Sequence, residues 1–302
     1  MIQAQPGKRS GKRVVLGVAG LTLAVESGGL EPTLCVRGGH ASFLTDTESP
    51  DLVLRASWRE LVAEAAGRPI FDSGGVWRLF QHDENDVYRF HDSSRQGAPY
   101  KEALIPRAGG PGELLLDPRA FPPSEPVDAL EFPLDELLFV RLLSSRGGIE
   151  LHAAGIIAPS GRGYLFSGQS GDGKSTTARL WKDRAGTTVL SDDRIIVRRA
   201  PDGTWWMHGT PWHGAAELAV NTGVPLAALL LLRRGTSNAL EPIGPAAAVA
   251  ALLARSFVSF HDAGSMGRSL GLLAELVRDI PCVLFSFVPG ADAVRFVLEN
   301  IP

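Results

Sequence analysis

Cysteine is scarce in this chain, which has only Cys35 and Cys282 among 302 residues. A disulfide framework or a structural zinc site needs several thiols at short spacing. These two cysteines lie far apart in the sequence. We therefore expect neither kind of site.

Long apolar runs and an excess of one charge are also missing. No stretch approaches the ~20 apolar residues that cross a bilayer, and the first residues lack an apolar core followed by a cleavage site. The formal net charge of -3 gives no general attraction to nucleic acid or anionic lipid. We therefore expect a cytoplasmic protein without a nucleic-acid or membrane partner.

The length and the apolar content, 302 residues of which 44% are hydrophobic, are sufficient for two domains. Between residues 13 and 130, short β-rich runs alternate apolar and polar residues and are separated by Gly, Pro, Asp and Ser. A Gly- and Pro-rich stretch at 108–126 is typical of a connection. The sequence predicts a β-rich N-terminal domain over 1–130 and a second domain over 131–302.

The second domain has a different pattern, in which apolar strands alternate with helical segments. The strands are predicted at 149–157, 164–166, 187–190, 195–198, 205–207, 227–232 and 283–288. The helices are predicted at 134–145, 174–182, 246–254 and 270–277. Alternation of this kind is typical of an α/β domain.

Residues 168–175 match the phosphate-binding loop, in which Gly, four residues, Gly, Lys and Ser follow one another. An apolar strand precedes the loop and a helical segment follows it, as the pattern requires. Glycines let the backbone turn tightly and present N–H groups to phosphate oxygens, and the helix N-terminus adds positive potential. The predicted nucleotide contacts are Gly168, Gln169, Ser170, Gly171, Asp172, Gly173, Lys174, Ser175 and Thr176.

Within this loop, Lys174 is predicted to contact the β- and γ-phosphates of ATP, and the Ser175 hydroxyl is predicted to bind Mg²⁺. A chance Gly-rich turn is the alternative, but such a turn does not require all four fixed positions. The loop alone does not distinguish a kinase from an ATPase or a nucleotide-sensing module.

Carboxylates and a histidine flank the loop in sequence. Asp192 and Asp193 end a short strand, where a carboxylate can bind Mg²⁺ or accept a proton from an attacking hydroxyl. Adjacent strand residues point to opposite faces, so the two aspartates should have different roles. His152 lies within the predicted strand at 149–157, and a lone histidine there is more often a core or edge residue than a functional one.

Together these segments resemble the catalytic domain of HPr kinase/phosphorylase. The resemblance rests on Leu151–Gly155, Gly168–Ser175 and Ser191–Arg194, and it is specific over residues 149–215. That family shares its nucleotide-binding core with phosphoenolpyruvate carboxykinases. The resemblance implies an α/β, carboxykinase-like P-loop nucleotide-binding domain, preceded by a smaller β-rich N-terminal domain.

The resemblance also implies an activity and residue roles. Asp192 would be the base for the acceptor hydroxyl, Asp193 would support the metal or the loop, and His152 would line the phosphate site. The implied enzyme is an ATP- and Mg²⁺-dependent kinase that phosphorylates a serine of a peptide or protein.

The chain departs from true HPr kinases after the Asp-Asp strand. Their Glu-Ile-Arg-Gly-type segment is absent, and residues 208–214 stand in its place. There Trp212 could contact the acceptor and His213 could donate to it, although a rigid turn explains the segment equally well. The chain is more similar to HPr-kinase-related proteins found with peptide-modification genes, so a natural-product precursor peptide is a candidate acceptor.

Other functions remain open at this point. A P-loop ATPase, a nucleotide-gated binding module and a degenerate module with a structural loop all fit the residues. The acceptor could be a small alcohol, and a homo-oligomer is compatible with the sequence. A carboxykinase reaction is disfavoured because arginines for a dicarboxylate are not recognisable.

Overall fold

The computed structural model describes residues 10–64, 67–92, 98–122, 124–169, 171–214 and 217–301. The chain divides into two compact units, Met1–Phe139 and Val140–Pro302. This division falls inside helix α1 (Leu134–Arg146), after the boundary that we placed at residue 130. No helix in the described part of the chain is long and apolar enough to span a membrane.

Apart from the first residues of α1, the described part of the first unit consists of β-strands and a 3₁₀ helix at Gly38–Phe43. Its strands are β1 (Ser10–Gly11), β2 (Arg13–Val18), β3 (Leu21–Ser27), β4 (Leu34–Cys35), β5 (Leu52–Trp58), β6 (Arg68–Asp72), β7 (Trp77–His82), β8 (Asn85–His91), β9 (Pro99–Pro106), β10 (Gly112–Leu116) and β11 (Val127–Asp128). Eight strands form one sheet in the order β2-β3-β5-β10-β9-β8-β7-β6, and β1, β4 and β11 form a small second sheet. Buried and half-buried residues alternate along β9, as expected for a sheet that packs one face on a core.

The second unit combines strands with helices that follow α1. Its strands are β12 (Gly148–Ile157), β13 (Gly163–Ser167), β14 (Thr188–Ser191), β15 (Arg194–Arg199), β16 (Trp205–Gly209), β17 (Gly223–Arg234), β18 (Ala239–Pro242), β19 (Ser256–Phe257) and β20 (Cys282–Phe287). Its helices are α2 (Lys174–Lys182), α3 (Pro245–Leu253), α4 (Ala263–Asp279) and α5 (Ala291–Asn300). The predicted helix at 174–182 is confirmed, whereas α4 is longer than predicted and α5 was not predicted.

The fold-class prediction, a carboxykinase-like α/β P-loop domain, is wrong. The structure is mostly β, with 40% strand and 23% helix, and it contains a five-stranded barrel. The sheet runs β13-β12-β15-β16-β17, and an additional pairing between β13 and β17 joins its ends. Of these pairings, only β13–β17 is parallel, whereas the others are antiparallel.

The physical reason for this error is the nature of the connections. Short turns, and not helices, join β12 to β13 and β15 to β16. The last of these contains Asp202 and Gly203, a dipeptide that favours a tight hairpin. A hairpin makes neighbouring strands antiparallel, whereas a helical crossover would make them parallel.

Two apolar cores lie on opposite sides of β12. Ala154 and Ile156 pack in one core with Trp181 of α2, while Leu151 and Ala153 pack in the other with residues of β15 and β17. Because side chains alternate along a strand, His152 projects to the same side as α2. This alternation determines which polar side chains approach the helix and the loop before it.

Candidate functional site

The predicted phosphate loop connects β13 to α2. Gly171 and Gly173 have left-handed backbones, with φ of 87° and 109°, which favour glycine. A Cβ on Gly173 would lie 2.5 Å from the Phe287 ring, so a larger residue would also clash. Ser175 and Thr176 are half-buried in the first turn of α2, and Ser170 lies outside the described residues.

Lys174 is buried, and its ammonium group folds back onto the loop. Its Nζ donates to the carbonyl oxygens of Gly168 at 2.8 Å and Gln169 at 3.0 Å. Burial lowers the pKa of Lys174, although the carboxylates of Asp193 and Asp172 act in the opposite direction. The ammonium therefore lies in the loop and within the electrostatic field of Asp193.

Asp172 closes the loop from within. Its Oδ2 accepts a hydrogen bond from the Gln169 N–H at 2.6 Å, and its own N–H donates to the Gln169 carbonyl at 3.1 Å. These reciprocal bonds join Asp172 to Gln169. The carboxylate thus shapes the loop as well as lying near Lys174.

The strand β12 brings the aspartate pair beside this loop. Its residue Ala153 is paired with Ser167, the last residue of β13, and its N–H donates to the carbonyl of Asp193 at 3.1 Å. Ser167 in turn donates its hydroxyl to the His152 carbonyl at 3.0 Å. The loop, His152 and Asp193 therefore meet around two adjacent residues of β12.

The carboxylate of Asp193 contacts a histidine and an arginine. Its Oδ1 lies 2.9 Å from His152 Nε2, and its Oδ2 contacts the guanidinium of Arg194. The hydrogen bond from His152 lowers the pKa of Asp193; burial opposes this effect, and the charge of Arg194 adds to it. Asp193 is therefore held ionised at neutral pH.

Asp192, beside Asp193 in the bend between β14 and β15, has different surroundings. It is 1% exposed, and its Oδ1 accepts the N–H of Gly214 at 3.0 Å. A Cβ on Gly214 would lie 2.8 Å from Asp192 Oδ2. Asp192 thus holds the segment that follows β16, whereas Asp193 faces the phosphate loop.

That segment has the features of a rigid turn. Thr210 donates its hydroxyl to the carbonyls of Arg194 at 2.8 Å and Trp212 at 3.1 Å. Trp212 is 5% exposed, so its ring packs inside the unit and does not present a surface to an acceptor. His213 is exposed.

Two arginines near the loop were not predicted as site residues. Arg255 lies just before β19, and its backbone carbonyl accepts a hydrogen bond from the His152 N–H at 2.7 Å. The charge of its side chain lowers the pKa of Lys174. Arg234, at the end of β17, donates to the Gly171 carbonyl. Neither lies in a recognisable motif, and only strand pairing brings them to the loop.

Glu150 places a second carboxylate beside Arg194, in addition to that of Asp193. It is fully buried, and its Oε1 lies 3.5 Å from Arg194 Nε. The Arg194 guanidinium also lies over the Phe257 ring, 4.1 Å from its centroid. Arg194 is thus oriented by a carboxylate on each side and by an aromatic face.

The donor set fits a magnesium–nucleotide complex better than a metal held by protein alone. Among the described residues, no group of three or more His, Cys, Asp or Glu could hold an ion. Mg²⁺ in nucleotide sites commonly takes one or two protein ligands and otherwise phosphate and water oxygens. Ser175 fits this role, and Asp193, the other predicted ligand, also contacts His152 and Arg194.

A family model described as SynChlorMet cassette protein ScmC matches residues 132–283, half of the chain. The chain belongs to the ScmC family. The ScmC match includes His152, the loop, both aspartates and Arg255, and it leaves out most of the first unit. A comparison with curated proteins gave no match. The matching model is that of ScmC and not that of HPr kinase/phosphorylase, so the resemblance to the latter remains a prediction.

Proposed function

We propose that this chain is an ATP-dependent kinase that transfers the γ-phosphoryl group to a serine hydroxyl of a peptide or protein. The observation that carries the proposal is the position of Asp193 beside the phosphate loop. Ala153 pairs with the last residue before the loop and also donates to Asp193. A carboxylate at this position can accept the proton of an acceptor hydroxyl, whereas nucleotide binding alone requires no base.

The loop and α2 are proposed to bind the polyphosphate. Gly171 and Gly173 have the left-handed backbone that lets successive N–H groups converge on an anion. Lys174 would leave the carbonyls of Gly168 and Gln169 and pair with phosphate oxygens. Bound ATP with Mg²⁺ would supply the phosphoryl group and neutralise charge during transfer, with Ser175 as the protein ligand.

Asp193 is proposed to orient the acceptor hydroxyl and to take its proton. Among the charges that raise the pKa of Lys174, the carboxylate of Asp193 has the largest effect. Its side chain is 26% exposed. Asp192, to which we assigned the base from the sequence, is nearly inaccessible and bonded to Gly214. Asp193 therefore fits the role of base better, and Asp192 fits that of a loop anchor.

His152 and Arg194 are proposed to position Asp193. Each contacts one of its oxygens, which fixes the carboxylate plane. Arg194 and Arg255 also add positive charge near Lys174, where charge develops during phosphoryl transfer. The proposed acceptor, a serine in a peptide or protein, rests on the resemblance to HPr-kinase-related proteins, and we place the reaction in the cytoplasm.

The fate of γ-labelled phosphate tests this proposal. The protein would be incubated with γ-labelled ATP and Mg²⁺, with and without candidate peptides, using Lys174→Ala as the control. A kinase moves label to a serine-containing peptide, and Lys174→Ala does not. Release of label only as free phosphate would favour the ATPase alternative, and nucleotide binding without either product would favour a nucleotide-gated module.

A further inference from the structure

Arg234 lies beside the phosphate loop because of the register of two parallel strands. Ser167 at the end of β13 pairs with Leu231 of β17, so β17 continues alongside the loop for three more residues. Leu230 and Leu232 pack in the core with α2, and Arg234 follows them on the same face of the strand. Its Nη2 and Nε donate to the Gly171 carbonyl at 3.0 and 3.3 Å.

The adjacent arginine points elsewhere and makes unrelated contacts. Arg233 donates from Nε to the Ser286 hydroxyl at 2.6 Å, and its guanidinium pairs with Glu241. Ser286 is also its partner in the pairing of β17 with β20. Two neighbouring residues of one type therefore have separate environments, one at the loop and one at β18 and β20.

The bond from Arg234 acts on a peptide plane that determines the loop's shape. The carbonyl of Gly171 and the N–H of Asp172 belong to one planar trans unit. Arg234 holds the carbonyl, and Gln169 accepts the N–H at 3.1 Å. The plane is thereby held at both ends, next to the left-handed Gly171 with φ of 87°.

We propose that Arg234 is a positioning residue that keeps the phosphate loop in its anion-binding shape for nucleoside di- and triphosphates. This inference rests on the proposed nucleotide binding. Arg234 is exposed and touches the loop backbone, so its removal should loosen the loop and leave the cores intact. Because the loop as a whole is affected, the affinities for ADP and for ATP should fall by the same factor.

Calorimetric titration of three variants tests the proposal. Arg234→Ala, Arg234→Lys and the matched control Arg233→Ala would be titrated with ADP and with a non-hydrolysable ATP analogue. We expect about a tenfold loss for both nucleotides in Arg234→Ala, the value of one hydrogen bond from a charged donor. Arg233→Ala should bind as the wild type does, and Arg234→Lys should lie between, since an ammonium lacks the planar fork.

Amide hydrogen exchange of the nucleotide-free protein separates this inference from the proposed function. Exchange at Gly171–Gly173 should be faster in Arg234→Ala than in the wild type and unchanged in Arg233→Ala. Wild-type protein that bound neither nucleotide would contradict the proposed function. Hydrogen exchange would still test whether Arg234 restrains the loop. Unchanged exchange in Arg234→Ala, or a loss of affinity confined to the ATP analogue, would overturn the proposed role of Arg234.

Discussion

His152 Nε2 lies 2.9 Å from Asp193 Oδ1, and this contact joins the middle of β12 to the turn before β15. The opposite carboxylate oxygen contacts Arg194. A carboxylate held at both oxygens has one orientation, and here it lies near the ammonium of Lys174. The contact gives His152, which the resemblance placed at the phosphate site, a defined partner in the candidate site.

Replacing Asp193 should stop transfer without preventing nucleotide binding. We expect Asp193→Asn to lower kcat by about 10²–10⁴-fold, because the amide can accept a hydrogen bond but is a very weak base. ADP affinity, measured by titration, should change little. Asp192→Asn is the matched comparison, and its main effect should be on the segment around Gly214. The reverse result, an inactive Asp192→Asn and an active Asp193→Asn, would return the base to Asp192.

A side chain at position 214 should collide with Asp192. The Cβ of Gly214→Ala would lie 2.8 Å from Asp192 Oδ2 and 3.3 Å from Asp193 Cβ, so we expect a loss of about 1–3 kcal/mol in the free energy of unfolding. Gly244→Ala is the control, since a Cβ there meets no atom within 4 Å. Chemical denaturation measures both variants, and equal stabilities would show that the segment relaxes around the methyl group.

Half-buried His208 in β16 should make the protein less stable in mild acid. Burial, and secondarily the charge of Arg198, lowers its pKa to about 4, whereas the unfolded chain has a His pKa of about 6.5. The unfolded state therefore binds more protons between these values. The contribution of neutral His208 to the free energy of unfolding is therefore fully present above about pH 6.5, and it is lost as the pH falls toward 4.

Denaturation at several pH values tests this effect. The free energy of unfolding should decrease by about 2–3 kcal/mol between pH 7 and pH 4 from this residue alone. His208→Gln should remove that part of the pH dependence. A variant with the same pH dependence as the wild type would assign the acid sensitivity to other groups.

Local sequence patterns were sufficient for the loop and for the elements next to it. The helix predicted at 174–182 matches α2, because the glycines before it and the apolar residues within it determine its start and its buried face. The strand predicted at 149–157 also matches β12 within one residue. These elements need no distant partner to be recognised.

Long-range pairing was not predictable from the same patterns. The pairing of β13 with β17, which closes the barrel, joins strands that are separated by four helix or strand elements in the chain. The same pairing brings Arg234 to Gly171, and the two-residue strand β19 brings Arg255 to His152. Trp212 was a candidate for acceptor contact because aromatic residues in loops often bind ligands, but tertiary packing buries it.

The central claim is most directly tested by identifying the atom that receives the γ-phosphoryl group. Wild-type protein and Asp193→Asn would be incubated with ATP, Mg²⁺ and serine-containing candidate peptides, and the products would be sequenced by fragmentation mass spectrometry. The proposal predicts phosphoserine in a peptide with the wild type and none with Asp193→Asn, while both proteins still bind ADP. Nucleotide binding by the wild type without phosphoserine in any peptide, accompanied only by release of free phosphate, would contradict it.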